Sequence, residues 1–162
     1  MHFPTLIVFD LDYTLWDCGG TWCDCLTPPF SQSMSGPVDR YGRIVTLYDG
    51  VLTALDFCES NNIDIALASR SAEPGWARQL IEMLGISHRF KYKEIFPSTK
   101  VVHFNNLRNS SREEFTNMLF YDDEWRNIEE VGNLGVTSIY VENGLNYKVF
   151  EEGLKKWQKN NS

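Results

Sequence analysis

Positive charge is scarce in this sequence of 162 residues, where 15 Lys and Arg stand against 22 Asp and Glu for a formal charge of −7. Because such a chain is repelled by nucleic acids and by anionic membranes, we expect neither as a partner. No apolar run approaches the ~18 residues that cross a bilayer, and the N-terminus lacks the basic start of a signal peptide. These absences predict a soluble, cytoplasmic protein in which any anionic ligand must meet local positive charge.

The cysteines also lack the spacing of a metal site. Three of the four lie close together as Cys18-x4-Cys23-x-Cys25, and Cys58 is distant. A structural zinc site would need paired Cys-x-x-Cys or neighbouring His residues. Without a secretory signal, we expect these residues to be reduced thiols rather than a disulfide framework.

Short apolar runs alternate with helical patterns along the chain. The run Thr5–Phe9 is typical of a strand buried on both faces, and further strands are predicted at 63–68, 90–96, 118–121 and 136–141. This alternation predicts an α/β protein with a doubly wound, three-layer α/β/α, Rossmann-like fold and a central parallel sheet. Because 43% of the residues are hydrophobic and no repeat is visible, we expect residues 1–162 to form a single domain.

Helix boundaries are indicated by individual residues. Asp49 is a candidate N-cap, and Pro74 fits the first turn of a helix. Another helix is expected to open at Lys100, and Ser111-x-x-Glu114 is a capping-box pattern that predicts a further short helix.

Residues 13–48 interrupt the alternation. Glycine, proline and serine are frequent there, so we expect an irregular excursion over the sheet edge. Four tryptophans are expected to pack in the protein rather than to form a base-stacking platform, given the acidic chain. They are Trp16, Trp22, Trp76 and Trp125.

Polar residues gather where the predicted strands end. Ligands of parallel α/β sheets bind outside the carboxyl ends of the strands, so these residues are candidates for one site. They are Asp10, Asp12, Ser69, Arg70, Lys100, Asp122 and Asp123. Several carboxylates at one edge suit Mg²⁺, a hard cation that prefers oxygen ligands, while Lys100 and Arg70 suit a phosphate.

Each of these residues also has an ordinary explanation. A single Asp at a strand end is usually a turn former or an N-cap, and Ser69 could cap the next helix. Lys100 could extend along a helix to reach solvent. Their joint appearance at predicted strand ends favours a functional site.

The same residues resemble, in order, the four motifs of the haloacid dehalogenase superfamily. The motifs are Phe9-Asp-Leu-Asp-Tyr-Thr-Leu15, Ser69 after an apolar strand, Lys100, and Asp122-Asp123 after another strand. The closer likeness is to its small, capless, magnesium-dependent phosphatases, and it covers nearly the whole chain. It implies that residues 13–48 form a short flap rather than a large cap domain.

The resemblance implies a role for each position. Asp10 would be the nucleophile, forming an aspartyl-phosphate, and also a Mg²⁺ ligand. Asp12 would be the general acid and base, and its backbone carbonyl would bind the metal. Ser69 would hold a phosphoryl oxygen.

The remaining positions would handle charge. Lys100 would neutralise the nucleophile and the transferring phosphoryl group, while Arg70 would contact phosphate or another substrate group. Asp122 would complete the metal shell, and Asp123 would act on the metal through water or directly.

The implied substrates are aryl phosphates, protein phosphotyrosine and sugar phosphates such as fructosamine phosphates. A metal-free dehalogenase would leave Asp12 and the pair Asp122-Asp123 without a role. A response-regulator receiver would place its acidic pair and its phosphorylated Asp in a different order. A catalytically weak or silent Mg²⁺-binding signalling or scaffold module stays open as the alternative.

Overall fold

The apolar runs form the strands of a central parallel sheet in the computed structural model, which describes residues 2–162. In chain order the strands are β1 (Leu6–Phe9), β2 (Trp16–Cys18), β3 (Ser31–Ser33), β4 (Gly36–Val38), β5 (Val45–Leu47), β6 (Asp64–Ser69), β7 (Tyr92–Ile95), β8 (Met118–Asp122) and β9 (Thr137–Tyr140). The helices are α1 (Val51–Ser60), α2 (Pro74–Met83), α3 (Lys100–Ser111), α4 (Trp125–Gly132) and α5 (Tyr147–Asn160). The central sheet has the order β7-β6-β1-β8-β9.

Strand β1 lies at the middle of this sheet, paired in parallel with β6 on one side and β8 on the other. Its side chains alternate between two apolar cores: Ile7 and Phe9 join one, and Leu6 and Val8 join the other. All four are fully buried, as expected for a strand covered on both faces.

Helices cover both faces of the sheet. Apolar residues of α1, α2 and α5 pack in the core of Ile7 and Phe9, while α3 and α4 contribute Phe104, Leu107 and Val131 to the opposite core. The predicted three-layer α/β/α arrangement is confirmed. In the described part of the chain, no helix is long and apolar enough to cross a membrane.

Two predicted helix caps are wrong, although the short helix expected after the second is present as a 3₁₀ helix at Phe115–Asn117. Helix α1 has Gly50 rather than Asp49 at its N-cap position, and no side chain caps it. Ser111 is the last residue of α3 rather than a cap, and its hydroxyl accepts a hydrogen bond from the amide of Glu113 at 3.1 Å. A Ser-x-x-Glu pattern serves at either end of a helix, because a serine side chain can satisfy local amides in both settings.

The segment 13–48, which we call the flap, is more regular than predicted. Strands β2 and β5 pair antiparallel, and β3 pairs with β4 in a second small sheet. A 3₁₀ turn at Cys23–Cys25 lies between them. The buried residues Trp16, Cys18 and Val45 join the larger core, so the flap is fastened to the body of the protein.

Candidate active site

The candidate residues from the sequence meet at the carboxyl edge of the central sheet. Asp10 directly follows β1, Ser69 ends β6, and Asp122 ends β8. A cavity of about 330 Å³ opens above them. Its lining consists of Asp10, Asp12, Trp22, Asp24, Ser69, Arg70, Ser71, Lys100, Asp123, Glu124, Arg126 and Asn127.

Lys100 occupies the centre of this edge. As the first residue of α3 it is 1% exposed, and its ammonium lies 3.1 Å from Asp10 Oδ1 and 3.2 Å from Asp122 Oδ2. It also donates to the backbone carbonyl of Ala68. Burial alone would lower the pKa of Lys100, but the two carboxylates raise it above its ordinary value, so it stays charged.

The carboxylates outnumber this cation. Burial raises the pKa of Asp10 well above its ordinary value, and the negative charge of Asp122 adds to that effect against the opposing influence of Lys100. Burial likewise raises the pKa of Asp123 to about 6. Three carboxylates with one ammonium leave an excess of two negative charges when all are ionised. A divalent cation would cancel this excess.

The donor atoms are placed to bind such a cation. Asp10, Asp122 and Asp123 each offer a carboxylate oxygen within 4.8 Å of the others. All are hard oxygen donors, which is the ligand chemistry of Mg²⁺ rather than of soft thiolate-binding metals. The residues therefore fit Mg²⁺. The carboxylate of Asp12 is not part of this group.

Asp12 instead faces the flap. Its Oδ1 accepts hydrogen bonds from the Trp16 indole at 2.8 Å and the Cys23 amide at 2.9 Å. The chain reverses at Tyr13, whose φ of 61° is uncommon for a residue with a side chain, and this reversal brings Trp16 back beside Asp12. Burial raises the pKa of Asp12, while the hydrogen bonds from Trp16 and Cys23 oppose the rise.

Ser69 and Arg70 border the cavity from the end of β6. The Ser69 hydroxyl is 2% exposed and accepts from the amide of Ser71 at 3.2 Å, which leaves its own proton free to be donated. Arg70 donates to Asn127 Oδ1 at 3.3 Å, and Asn127 in turn donates to Asp122 Oδ2 at 3.0 Å. The cationic side of the cavity is thus connected to the acidic cluster through Asn127.

Sequence reasoning missed several residues of the site. Thr14 donates to Asp10 Oδ2 at 3.2 Å, and Asn127 orients Asp122 as described above. A threonine four residues after Asp10 and an asparagine five residues after Asp122 were visible in the sequence. A polar side chain at such a spacing is too common in proteins to indicate a contact by itself.

The tryptophans are only in part packing residues. Trp16 is fully buried, as predicted, but Trp22 is 51% exposed and Trp125 is 60% exposed. Trp22 lines the cavity and contacts the Tyr13 ring edge-on at 5.8 Å. Trp125 stacks on Tyr140. The packing prediction is therefore wrong for these two residues.

Comparisons with known proteins agree with the geometry. The family model described as acid phosphatase matches residues 2–160. Over 160 residues the chain is 42% identical to the human protein named magnesium-dependent phosphatase 1, covering 98% of this chain and 89% of that one. It is 33% identical to a HAD-like hydrolase superfamily protein of Schizosaccharomyces pombe, covering 93% of this chain and 94% of the relative.

A solved structure shows the same fold. A HAD-superfamily hydrolase from Ehrlichia chaffeensis superposes with a TM-score of 0.65 at 19% identity, over 100% of both chains. At that identity the likeness concerns the fold alone, whereas the family model and the closer relatives extend to the sequence of nearly the entire chain. The chain belongs to the acid phosphatase family, within the haloacid dehalogenase superfamily.

Proposed function

We propose that this protein is a Mg²⁺-dependent phosphomonoester hydrolase that works through an aspartyl-phosphate on Asp10. The observation that carries the proposal is the buried triad in which Lys100 lies within 3.2 Å of both Asp10 and Asp122 at the floor of an open cavity. The relative named magnesium-dependent phosphatase 1 supports the same chemistry.

Charge is the first obstacle to this reaction, because an anionic carboxylate must approach an anionic phosphate. Lys100 lies beside Asp10 and offsets part of the charge. Asp10, Asp122 and the backbone carbonyl of Asp12 would hold the Mg²⁺, with Asp123 acting directly or through water. When bound, the metal supplies Lewis-acid stabilisation of the phosphoryl oxygens.

Asp10 is the nucleophile in this proposal. Lys100 contacts its Oδ1 and Thr14 donates to its Oδ2, so the carboxylate is held from both sides. A carboxylate oxygen attacks phosphorus, the bond from phosphorus to the leaving oxygen breaks, and an acyl-phosphate forms. This arrangement divides one difficult displacement into two easier steps.

Asp12 moves the proton in both steps. It first donates a proton to the departing alcohol or phenol oxygen. The resulting carboxylate then takes a proton from the water that attacks the acyl-phosphate, which releases inorganic phosphate and regenerates Asp10. The burial that raises the pKa of Asp12 favours the protonated form that the first step needs.

Substrate binding is assigned to Ser69, Arg70 and Lys100, which border the cavity. The half-exposed ring of Trp22 at the same cavity favours a substrate with a flat or apolar leaving group. We propose aryl phosphates and phosphotyrosine in proteins, which match this ring, or sugar phosphates such as fructosamine phosphates, which an open cavity admits. The chain acts as one domain, 1–162, with residues 13–48 as its flap, and its location in the cytoplasm stays a prediction.

Phosphate release from a panel of aryl phosphates, phosphotyrosine peptides and sugar phosphates tests the proposal, with Mg²⁺ or with EDTA. We expect metal-dependent turnover that Asp10→Asn abolishes while its circular dichroism and thermal unfolding stay those of a folded protein. Absence of turnover in a folded, Mg²⁺-binding wild type would favour the silent signalling or scaffold alternative. Substantial turnover by pure Asp10→Asn would overturn the nucleophile assignment.

A further inference from the structure

The two carboxylate oxygens of Asp12 have unequal surroundings. Oδ1 accepts from the Trp16 indole at 2.8 Å and the Cys23 amide at 2.9 Å, and the Cys18 thiol lies 3.7 Å from it. These three contacts all reach Oδ1, and the Cys23 side chain also lies beside the carboxylate. Because Asp12 lines the cavity, Oδ2 is the oxygen left available to a ligand there.

The donors to Oδ1 are held in place by the flap. Trp16 and Cys18 are fully buried and belong to β2, where they pair with Leu47 and Val45 of β5. A side chain in such a position has little freedom to follow a moving carboxylate. Oδ1 is therefore held by groups that are themselves fixed.

The Cys23 amide is fixed by contacts with the loop after β6. The sulfur of Cys23 lies 3.4 Å from the Ser71 hydroxyl, and Asp24 Oδ2 accepts from the amide of Ala72 at 3.2 Å. These contacts join the flap to the strand end that carries Ser69 and Arg70. The turn that orients Asp12 is thus anchored to the phosphate side of the cavity.

The sulfur of Cys18 keeps its proton. Burial raises the pKa of the Cys18 thiol far above its ordinary value, and the negative charge of Asp12 raises it further. A protonated thiol is a weak donor, whereas a thiolate would repel the carboxylate. The protonated Cys18 thiol is therefore the donor in this contact, and Asp12 Oδ1 is the acceptor.

We infer that Trp16 and Cys18 are positioning residues for the general acid and base Asp12. They hold Oδ1, which confines the exchangeable proton to Oδ2 and directs it to the leaving oxygen and later to the attacking water. Oδ1 already receives donors, so a proton placed on it would lose those hydrogen bonds. This inference rests on the proposed phosphatase function and adds the residues through which the flap contributes to it.

The variant Trp16→Phe removes the indole N–H and keeps an aromatic ring in the core. The matched control is Trp157→Phe, since Trp157 is also buried and its indole donates to the carbonyl of Thr116, far from the site, at 2.9 Å. The measurement is kcat/KM for a series of aryl and alkyl phosphates that differ in leaving-group pKa. A purely structural role for Trp16 would lower all members of the series by one factor.

We expect Trp16→Phe to lower kcat/KM about tenfold for alkyl phosphates and about threefold or less for nitrophenyl phosphate, consistent with loss of one hydrogen bond to a charged group. The plot against leaving-group pKa becomes steeper, while Trp157→Phe keeps the wild-type slope. Equal losses across the series, or a steeper slope in the control as well, would overturn the inference for Trp16.

Cys18 is tested by a pair of substitutions. Cys18→Ala removes the donor, Cys18→Ser restores a hydroxyl donor, and Cys58→Ala is the control because Cys58 is also a fully buried free cysteine. We expect the slope to increase less for Cys18→Ala than for Trp16→Phe, and to return to the wild-type value in Cys18→Ser. The control Cys58→Ala should keep the wild-type slope. Identical slopes in Cys18→Ala and the wild type would remove Cys18 from the positioning group.

The geometry has a readout that does not depend on turnover. The indole N–H resonances of the five tryptophans can be assigned by single Trp→Phe variants. We expect the Trp16 signal to move strongly upfield in Asp12→Ala, and the Trp157 signal to stay in place. An unmoved Trp16 signal would contradict the contact itself.

The outcomes also separate this inference from the proposed function. A moved Trp16 signal together with an unchanged leaving-group slope leaves the phosphatase assignment intact and overturns the positioning role. A wild type that hydrolyses no member of the series in Mg²⁺ overturns both.

Discussion

The site has two sides that are built in different ways. The sheet side consists of Asp10, Lys100 and Asp122, which project from strand ends and a helix start and are 8% exposed or less. The flap side consists of Asp12 and the residues of 13–48 that contact it. Strand ends and a helix start of the central α/β layers hold the charged groups, while the short strands and turns of the flap hold Asp12 and border the cavity.

The difference lies in the kind of interaction that each side uses. On the sheet side, close charges in a buried setting interact strongly, and their arrangement prepares the edge for an anion and a cation. On the flap side, neutral donors with fixed positions orient a single carboxylate. We infer that metal binding and the offsetting of charge depend on the sheet side, and that the orientation of Asp12 and substrate preference depend on the flap.

Removing Lys100 is expected to have the largest effect. In Lys100→Met, Asp10 and Asp122 lose the ammonium between them. We expect turnover to fall by about 10⁴-fold and the free energy of unfolding to fall by about 3 kcal/mol, as when a buried ion pair loses one partner. Phosphate release and urea unfolding measure both effects.

The control for that variant is Lys91→Met, because Lys91 forms an exposed ion pair with Asp64 at 3.1 Å. We expect its turnover and stability to stay close to wild type. Turnover of Lys100→Met within tenfold of wild type would contradict the role of the sheet side.

Asp12→Asn tests the flap side alone. The variant keeps an oxygen for the Trp16 and Cys23 donors but cannot act as an acid or base. We expect about a 10³-fold loss of kcat/KM for alkyl phosphates and a much smaller loss for nitrophenyl phosphate, whose leaving group needs little protonation. A uniform loss would mean that Asp12 acts on something other than the leaving oxygen.

Mg²⁺ is expected to stabilise the sheet side in a pH-dependent manner. At about 100 times its Kd, the metal should raise the free energy of unfolding by about 2.7 kcal/mol. The metal binds the ionised carboxylates, and the Asp123 pKa of about 6 means that protons compete more strongly as pH falls through 6. The stabilisation should therefore be present at pH 8 and smaller at pH 5.

Thermal unfolding with Mg²⁺ or EDTA at several pH values checks this prediction. Asp122→Asn serves as the variant that lacks one of the proposed ligands. Equal stabilisation of this variant and the wild type, or a stabilisation that grows as pH falls, would place the metal elsewhere.

Asp39→Ala is expected to destabilise the flap, and its effect on the free energy of unfolding is the smallest of those predicted here. Burial alone would raise the Asp39 pKa, but hydrogen bonds from the Thr27 and Arg43 amides and the Arg43 side chain lower it to about 2. Since the ordinary pKa is 3.8, this carboxylate contributes about 2 kcal/mol of stability above pH 3.8. The contribution is lost as pH falls through 2.

Urea unfolding and limited proteolysis measure this destabilisation, with Asp64→Ala as the control for loss of an exposed ion pair. We expect cleavage of Asp39→Ala within residues 13–48 and retention of Mg²⁺-dependent stabilisation. Loss of that stabilisation would show that the two sides are not separable.

The sheet side was largely predictable from the sequence. The apolar run before Asp10 indicated a central strand. Because ligands bind at the carboxyl ends of parallel strands, Asp10, Lys100 and Asp122 were predicted to share one site. Periodicity and local sequence carry this information, because each residue directly ends or begins a regular element. The prediction of Asp49 as an N-cap was wrong because the helix begins one residue later, with Gly50 at the N-cap position.

The flap side could not be predicted in the same way. Cys23 and Ser71 are 48 residues apart, and no periodic pattern links them. The short strands of the flap have three residues each, too few for a period to be visible. Trp22 was expected to pack because tryptophan side chains are usually largely buried. Only the fold shows that Trp22 borders a cavity.

The most direct test of the account is to trap the covalent intermediate with nitrophenyl phosphate and Mg²⁺ by acid quenching, followed by mass spectrometry of the peptides. We predict one phosphoryl group on Asp10, at higher occupancy in Asp12→Asn than in wild type, because the sheet side still forms the acyl-phosphate and the variant lacks the base that activates water to hydrolyse it. A phosphoryl group on another residue, or turnover of wild type with no labelled Asp10 in either protein, would contradict it.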